Sequence, residues 1–100
     1  MKKELHTPRK GKIYLQIYVI GGENIRSKRN ILRLQEIMES NFRDSYELVV
    51  IDLLLSPELG EEDRIMVAPT VVKKAPPPIQ KIIGSLADEE RVLTALDLNP

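Results

Sequence analysis

One hundred residues make about one domain and leave no room for a second core. At 42% apolar and 30% charged, the chain has the composition of a folded protein rather than a disordered one. Fifteen basic and fifteen acidic residues leave no net field to draw in nucleic acid or a membrane, and the absence of cysteine excludes disulfides, thiolate catalysis and thiolate metal sites.

The neutral total is a sum of unequal parts. In the first twelve residues Lys2, Lys3, Arg9, Lys10 and Lys12 are offset only by Glu4, a net of +4, and the remainder carries −4. No apolar run of signal-peptide or membrane-spanning length follows this basic start. Residues 1–11 therefore read as a basic, solvated extension, residues 12–98 as a single domain, and the chain as cytoplasmic. The single histidine, His6, makes a structural zinc site implausible.

From Lys12 to Ile20 the sequence has period two. Ile13, Leu15, Ile17 and Val19 share one face and Tyr14, Gln16, Tyr18 and Ile20 the other, which predicts a strand covered on both sides. Gly21 and Gly22 end it. From Ser27 to Asn41 the period becomes helical, with Ile31, Leu34, Ile37 or Met38, and Phe42 on one stripe. Arg26, Lys28, Arg29 and Arg33 put the wrong sign of charge near that helix's N-terminus, a broken local rule that points mildly to function.

Tyr46 to Leu55 reads as a second buried strand, so strand, helix and strand form a right-handed parallel βαβ unit. Ser56-Pro57-Glu58 predicts a capping hydroxyl, a proline at the first helical position and a short, acidic helix. Between Arg64 and Ala87 there is no acid, while Arg64, Lys73, Lys74 and Lys81 are basic. Val67–Lys73 and Ile79–Ile83 look like short strands separated by Pro76, Pro77 and Pro78, which cannot donate to a ladder. Asp88 is placed to cap a last helix from Glu89 to about Leu98.

This order of elements is similar to that of a thioredoxin-like domain, in which Pro69 would follow a cis bond beside the site. The redox loop of such a fold would fall at Gly21–Ser27. No thiol is present there, so disulfide exchange is impossible. Ser27 or Tyr18 would lack a general base, the acids at 58–63 match no cation-loop spacing, and no phosphate loop or nucleotide fingerprint occurs. The tyrosines and Phe42 are better placed for packing than for stacking on nucleic acid. What remains is a basic, proline-broken surface suited to binding protein.

The runs Glu61-Glu62-Asp63-Arg64-Ile65, Ala68-Pro69-Thr70, and Pro76-Pro77-Pro78-Ile79-Gln80-Lys81-Ile82-Ile83-Gly84-Ser85-Leu86 closely resemble the KaiB family. Tyr18-Val19-Ile20-Gly21, Val50-Ile51-Asp52-Leu53 and Glu90-Arg91-Val92-Leu93 through Leu96-Asp97-Leu98 fit as well, so the resemblance spans residues 12–98. It implies an α/β protein with a thioredoxin-like βαβ N-terminal half and a C-terminal half that switches fold. The two states would be a resting KaiB-type tetramer and a thioredoxin-like monomer, and the resting arrangement is the one expected. It further implies no enzymatic activity and no cofactor, but binding to a KaiC-type ATPase, with KaiA or a sensor kinase engaged indirectly.

Carried over residue by residue, the basic partner-binding positions fall on Arg64, Lys73 and Lys81, with Gln80 where the family has a further base. The switching segment falls on Pro69, Pro76, Pro77, Pro78, Gly84 and Ser85, where Ser85 replaces a family acid. The chain also stops without the family's acidic tail, which suggests a divergent homologue serving a clock or a stress response. Two other readings stand beside this one. The chain resembles a constitutively thioredoxin-like sensory module of a signalling kinase, or more remotely a thiol-free thioredoxin-fold enzyme.

Overall fold

Alternation across two apolar faces makes the first strand a central one. In the computed structural model, which describes residues 11–100, β1 runs Ile13–Val19 and all seven of its residues are buried. The helix α1, Ile25–Phe42, buries the stripe Leu34, Ile37 and Met38. It begins two residues before the predicted start because Asn24, in an extended conformation, caps it by accepting the Ser27 N–H at 2.8 Å.

The strand β2, Tyr46–Asp52, pairs in parallel with β1 from Ile13↔Tyr46 to Val19↔Asp52, completing the βαβ unit. It stops three residues short of the predicted end. Leu54 and Leu55 lie beyond the ladder with 67% and 81% of their surface exposed. The short helix α2, Glu58–Glu62, follows, but the expected hydroxyl cap is not formed: Pro57 occupies the cap and makes no side-chain hydrogen bond.

The strand β3, Thr70–Ala75, runs antiparallel to β1, and β4, Gln80–Ile83, antiparallel to β3, giving the order β2-β1-β3-β4. The bond before Pro69 is cis as expected, and those before Pro76 and Pro78 are cis as well. The helix α3, Glu89–Ala95, opens on Asp88, whose carboxylate accepts the Arg91 N–H at 3.1 Å.

The sheet separates two unequal layers. On one face Leu15, Ile17, Val71 and Ile82 meet Leu34, Ile37 and Met38 of α1 and Val92 and Leu96 of α3 in the main core. On the other, Tyr18, Ile51 and Val72 pack under Leu59 and Ile65 around α2. A parallel βαβ half followed by an antiparallel ββα half is the thioredoxin-like arrangement. Of the two arrangements that the resemblance implies for the second half, the structure holds this one and not the expected resting arrangement. Of the basic extension at 1–11, residues 1–10 lie outside the described residues.

Candidate functional site

The position that a redox site would occupy is built from the β1–α1 loop. Gly21 has φ +76, a conformation that favours glycine. Asp52, at the end of β2, holds the loop: its carboxylate accepts the N–H groups of Gly21 at 3.0 Å, Gly22 at 2.7 Å and Leu54 at 3.0 Å. These backbone hydrogen bonds, Gly22 foremost, keep the Asp52 carboxyl below its ordinary pKa.

Across from the loop lies Pro69, and between them opens a cavity of about 470 Å³ whose lining includes Ile20, Asn24, Arg26, Ser27 and Ala68. The Ser27 hydroxyl points to the Ile20 carbonyl at 3.4 Å, and the lining holds no carboxylate, lysine or histidine to activate it. The cavity can receive a group, and among the described residues its lining offers none that would activate the Ser27 hydroxyl. Among the described residues no cluster of acids or histidines could hold a metal.

The second sheet face carries a polar chain that the sequence did not reveal. Tyr18 Oη lies 2.8 Å from Asp63 Oδ2, 3.0 Å from Gln16 Oε1 and 3.3 Å from the Leu59 carbonyl. Gln16 in turn reaches Tyr14 Oη at 3.1 Å. Lys74 closes the chain with its Nζ 2.7 Å from Asp63 Oδ1, and Lys81 donates to the Asp63 carbonyl. Burial pushes the Tyr18 phenol well above its ordinary pKa, and the hydrogen bond to Asp63 and the charges of Asp63 and Glu62 push it further.

Strand parity decides where the predicted binding residues go. Val72 pairs with Lys81 and lies against Tyr18, so Lys74 and Lys81 stand on the α2 face. Arg64, exposed and in a left-handed conformation with φ 55, follows Asp63 directly and joins them. Lys73 pairs with Gln80 and Leu15 on the opposite, core-facing row, and Lys73 is only 1% exposed. The four expected positions thus divide two and two, and Lys73 offers no open surface in this arrangement.

The segment from Ile83 to Ala87, which holds two of the residues expected to switch, Gly84 and Ser85, is clamped from both sides. Arg33 donates to the carbonyls of Leu86 at 3.1 Å and Ala87 at 2.9 Å, while Arg91 reaches Ser85 at 2.8 Å and Ile83 at 3.2 Å. Gly84, with φ +92, gives its N–H to the Pro69 carbonyl at 3.0 Å. The Ser85 hydroxyl accepts the Ala87 N–H at 3.2 Å. Pro76, Pro77 and Pro78 form the exposed link between β3 and β4.

The pattern that defines the KaiB domain matches residues 16–98. The chain belongs to the KaiB family. It is 50% identical over 92 residues to the circadian clock oscillator protein KaiB of Prochlorococcus marinus, covering 92% of this chain and 79% of that one. The corresponding protein of Trichodesmium erythraeum is 47% identical over 92 residues, covering 92% of this chain and 88% of the relative. Among solved structures, the N-terminal domain of Synechococcus elongatus SasA superposes with a TM-score of 0.73 at 23% identity, covering 97% of this chain and 94% of that domain. Mitochondrial thioredoxin 3 of Saccharomyces cerevisiae gives 0.66 at 17% identity, covering 88% and 79%. At these identities the two structures support the thioredoxin-like fold alone. In this KaiB-family chain that fold comes without the thiols of thioredoxin chemistry.

Proposed function

We propose that this KaiB-family chain is a non-enzymatic regulator that binds a KaiC-type ATPase and modulates its phosphorylation state or output, in a clock or a stress response. The observation that carries the reading is identity of about one residue in two with clock oscillator proteins over nine-tenths of the chain. A cysteine-free loop at the redox position fits a fold used for binding rather than exchange. Arg64 and Lys81 supply two exposed positive charges on the α2 side, beside the Lys74–Asp63 pair and the acids of α2, for contact with a partner surface of complementary charge.

The test is binding of the purified chain to a KaiC-type hexamer, followed by co-elution. Arg64→Glu with Lys81→Glu should weaken binding by about tenfold or more and flatten its dependence on salt. Binding unchanged in that double variant would refute the placement of the face. Lys73→Glu is a poor probe, since a buried charge reversal disturbs the core before it touches a partner.

A second reading is supported by the thioredoxin-like arrangement and its likeness to the SasA domain. In it the chain is a constitutive interaction module of the kind carried by a signalling kinase. Size-exclusion chromatography separates the two: the regulator rests as a tetramer or dimer, the module as a monomer. KaiA or a sensor kinase would then be engaged only through the complex.

A further inference from the structure

Large apolar side chains collect at one end of the sheet. There β1 and β2 end, β3 begins and β4 ends, so Ile20, Ile25, Leu54, Met66, Val67 and Ile83 converge. Their exposure runs from 46% at Val67 to 90% at Met66. Bonds and contacts join the parts: Gly84 N–H to the Pro69 carbonyl at 3.0 Å, and Leu54 Cδ1 3.6 Å from where a Cβ on Gly21 would stand. Of this apolar collar Ile20 and Ile25 line the cavity, and the other four lie at the same end of the sheet; an exposed apolar patch of this kind marks a contact surface on a small protein.

We propose that this collar and its cavity dock an extended, strand-like segment of a partner protein that presents a carboxylate beside aliphatic side chains. Two observations select that occupant. The first is backbone: Val67 C=O takes the Thr70 hydroxyl at 2.7 Å and Pro69 C=O takes Gly84 N–H. The Ala68 peptide between them has no hydrogen bond to any described residue. An N–H and a C=O left open beside an apolar collar call for an occupant with open backbone of its own, and an extended segment supplies it. The second is charge. Arg26 is the one ionised side chain in the cavity lining, Arg29 lies one turn further along α1, and the α1 N-terminus adds positive potential. That sign repels the chain's own basic extension, with Lys2, Lys3, Arg9 and Lys10, and welcomes a carboxylate. A volume of about 470 Å³ is within the range of specific ligand sites and large enough for one or two side chains. The surface is distinct from the Arg64 and Lys81 face, so the proposal stands apart from KaiC binding.

A random dodecapeptide library displayed on phage and panned on the immobilised full chain tests this. Enrichment of sequences that combine Asp or Glu with Leu, Ile or Val is expected. The best synthetic peptide should shift the Ala68 amide resonance and bind roughly tenfold more weakly to both Ile25→Glu and Arg26→Glu. Panning on Arg26→Glu should lose the acidic preference. Both side chains are exposed, so circular dichroism should show both variants folded. No enrichment over a blocked surface, or peptides that bind the variants as well as the wild type, would overturn the proposal. So would self-association of the chain abolished by Ile25→Glu, which would assign the collar to a second copy.

Discussion

Asp63 collects donors from three strands: Tyr18 of β1, Lys74 of β3 and, through its carbonyl, Lys81 of β4. The Tyr18 hydroxyl has one proton for three nearby acceptors, and the carboxylate at 2.8 Å is both the nearest and the charged one. The Gln16 amide bridges the two phenols, its oxygen 3.0 Å from Tyr18 Oη and its NH2 donating to Tyr14 Oη at 3.1 Å. A continuous polar network therefore joins Tyr14 to the Lys74–Asp63 pair. The side chains of that pair are 22% and 13% exposed, so removing one partner strands the other in a poorly hydrated place. Asp63→Ala is expected to cost about 2–3 kcal/mol in urea unfolding, and a loss under about 0.5 kcal/mol would show the pair to be idle. The same node predicts an alkaline effect. In the folded protein Tyr18 holds its proton above the ordinary value near 10, whereas the unfolded chain releases it there. The stabilisation is therefore complete below about pH 10 and is lost as pH rises toward the folded value. Stability should fall more steeply across that range in the wild type than in Tyr18→Phe; parallel curves would contradict it. None of this was legible in the sequence. Asp63 sat at the end of an acidic run that reads as solvated, and nothing local revealed that Tyr18 faces it across 45 positions.

At the level of elements, the interiors of β1, α1 and α3 followed from hydrophobic period and the Asp88 cap, while the ends were set by contacts far away in the chain. β2 stops at Asp52 because its carboxylate turns to the β1–α1 loop, and three apolar leucines after it hide that stop. Arg33 read as a basic residue misplaced near a helix N-terminus. It lies in the third turn of α1 and binds the carbonyls of Leu86 and Ala87, so its sign is explained by a remote segment rather than by the helix dipole. Lys73 and Lys74 are neighbours in sequence, yet parity buries one and delivers the other to Asp63. The arginine clamps define a prediction at this scale. Arg33→Ala and Arg91→Ala should each cost about 1 kcal/mol and speed amide exchange from Ile83 to Ala87 more than in α1. Uniform acceleration across the domain would assign the arginines a general role instead.

Across the whole molecule the two halves are unequally anchored. The βαβ half contributes the fully buried strand β1, an 18-residue helix and seven of the thirteen buried residues of the main core. The second half ends in a four-residue edge strand and a seven-residue helix, tied back by Ile82, Leu86, Val92 and Leu96 on one face and by Lys74 and Lys81 on the other. A short edge strand buries little and leaves one side of its backbone unpaired, so it opens at a lower free energy than the strands inside. Native-state hydrogen exchange should therefore resolve two cooperative units. β1 and α1 should exchange only with global unfolding, while β4 and α3 should open together at a free energy several kcal/mol lower. Asp63→Ala should lower both values by the same amount, about 2–3 kcal/mol, because its bonds to Lys74 and Lys81 are already broken once the second half has opened. Arg33→Ala acts on the opposite face, so the effects of the two substitutions on the smaller unit should add to within about 0.5 kcal/mol. A single exchange free energy for these four elements would mean that the second half cannot open by itself. A family whose resemblance implies rearrangement of that half requires the opposite.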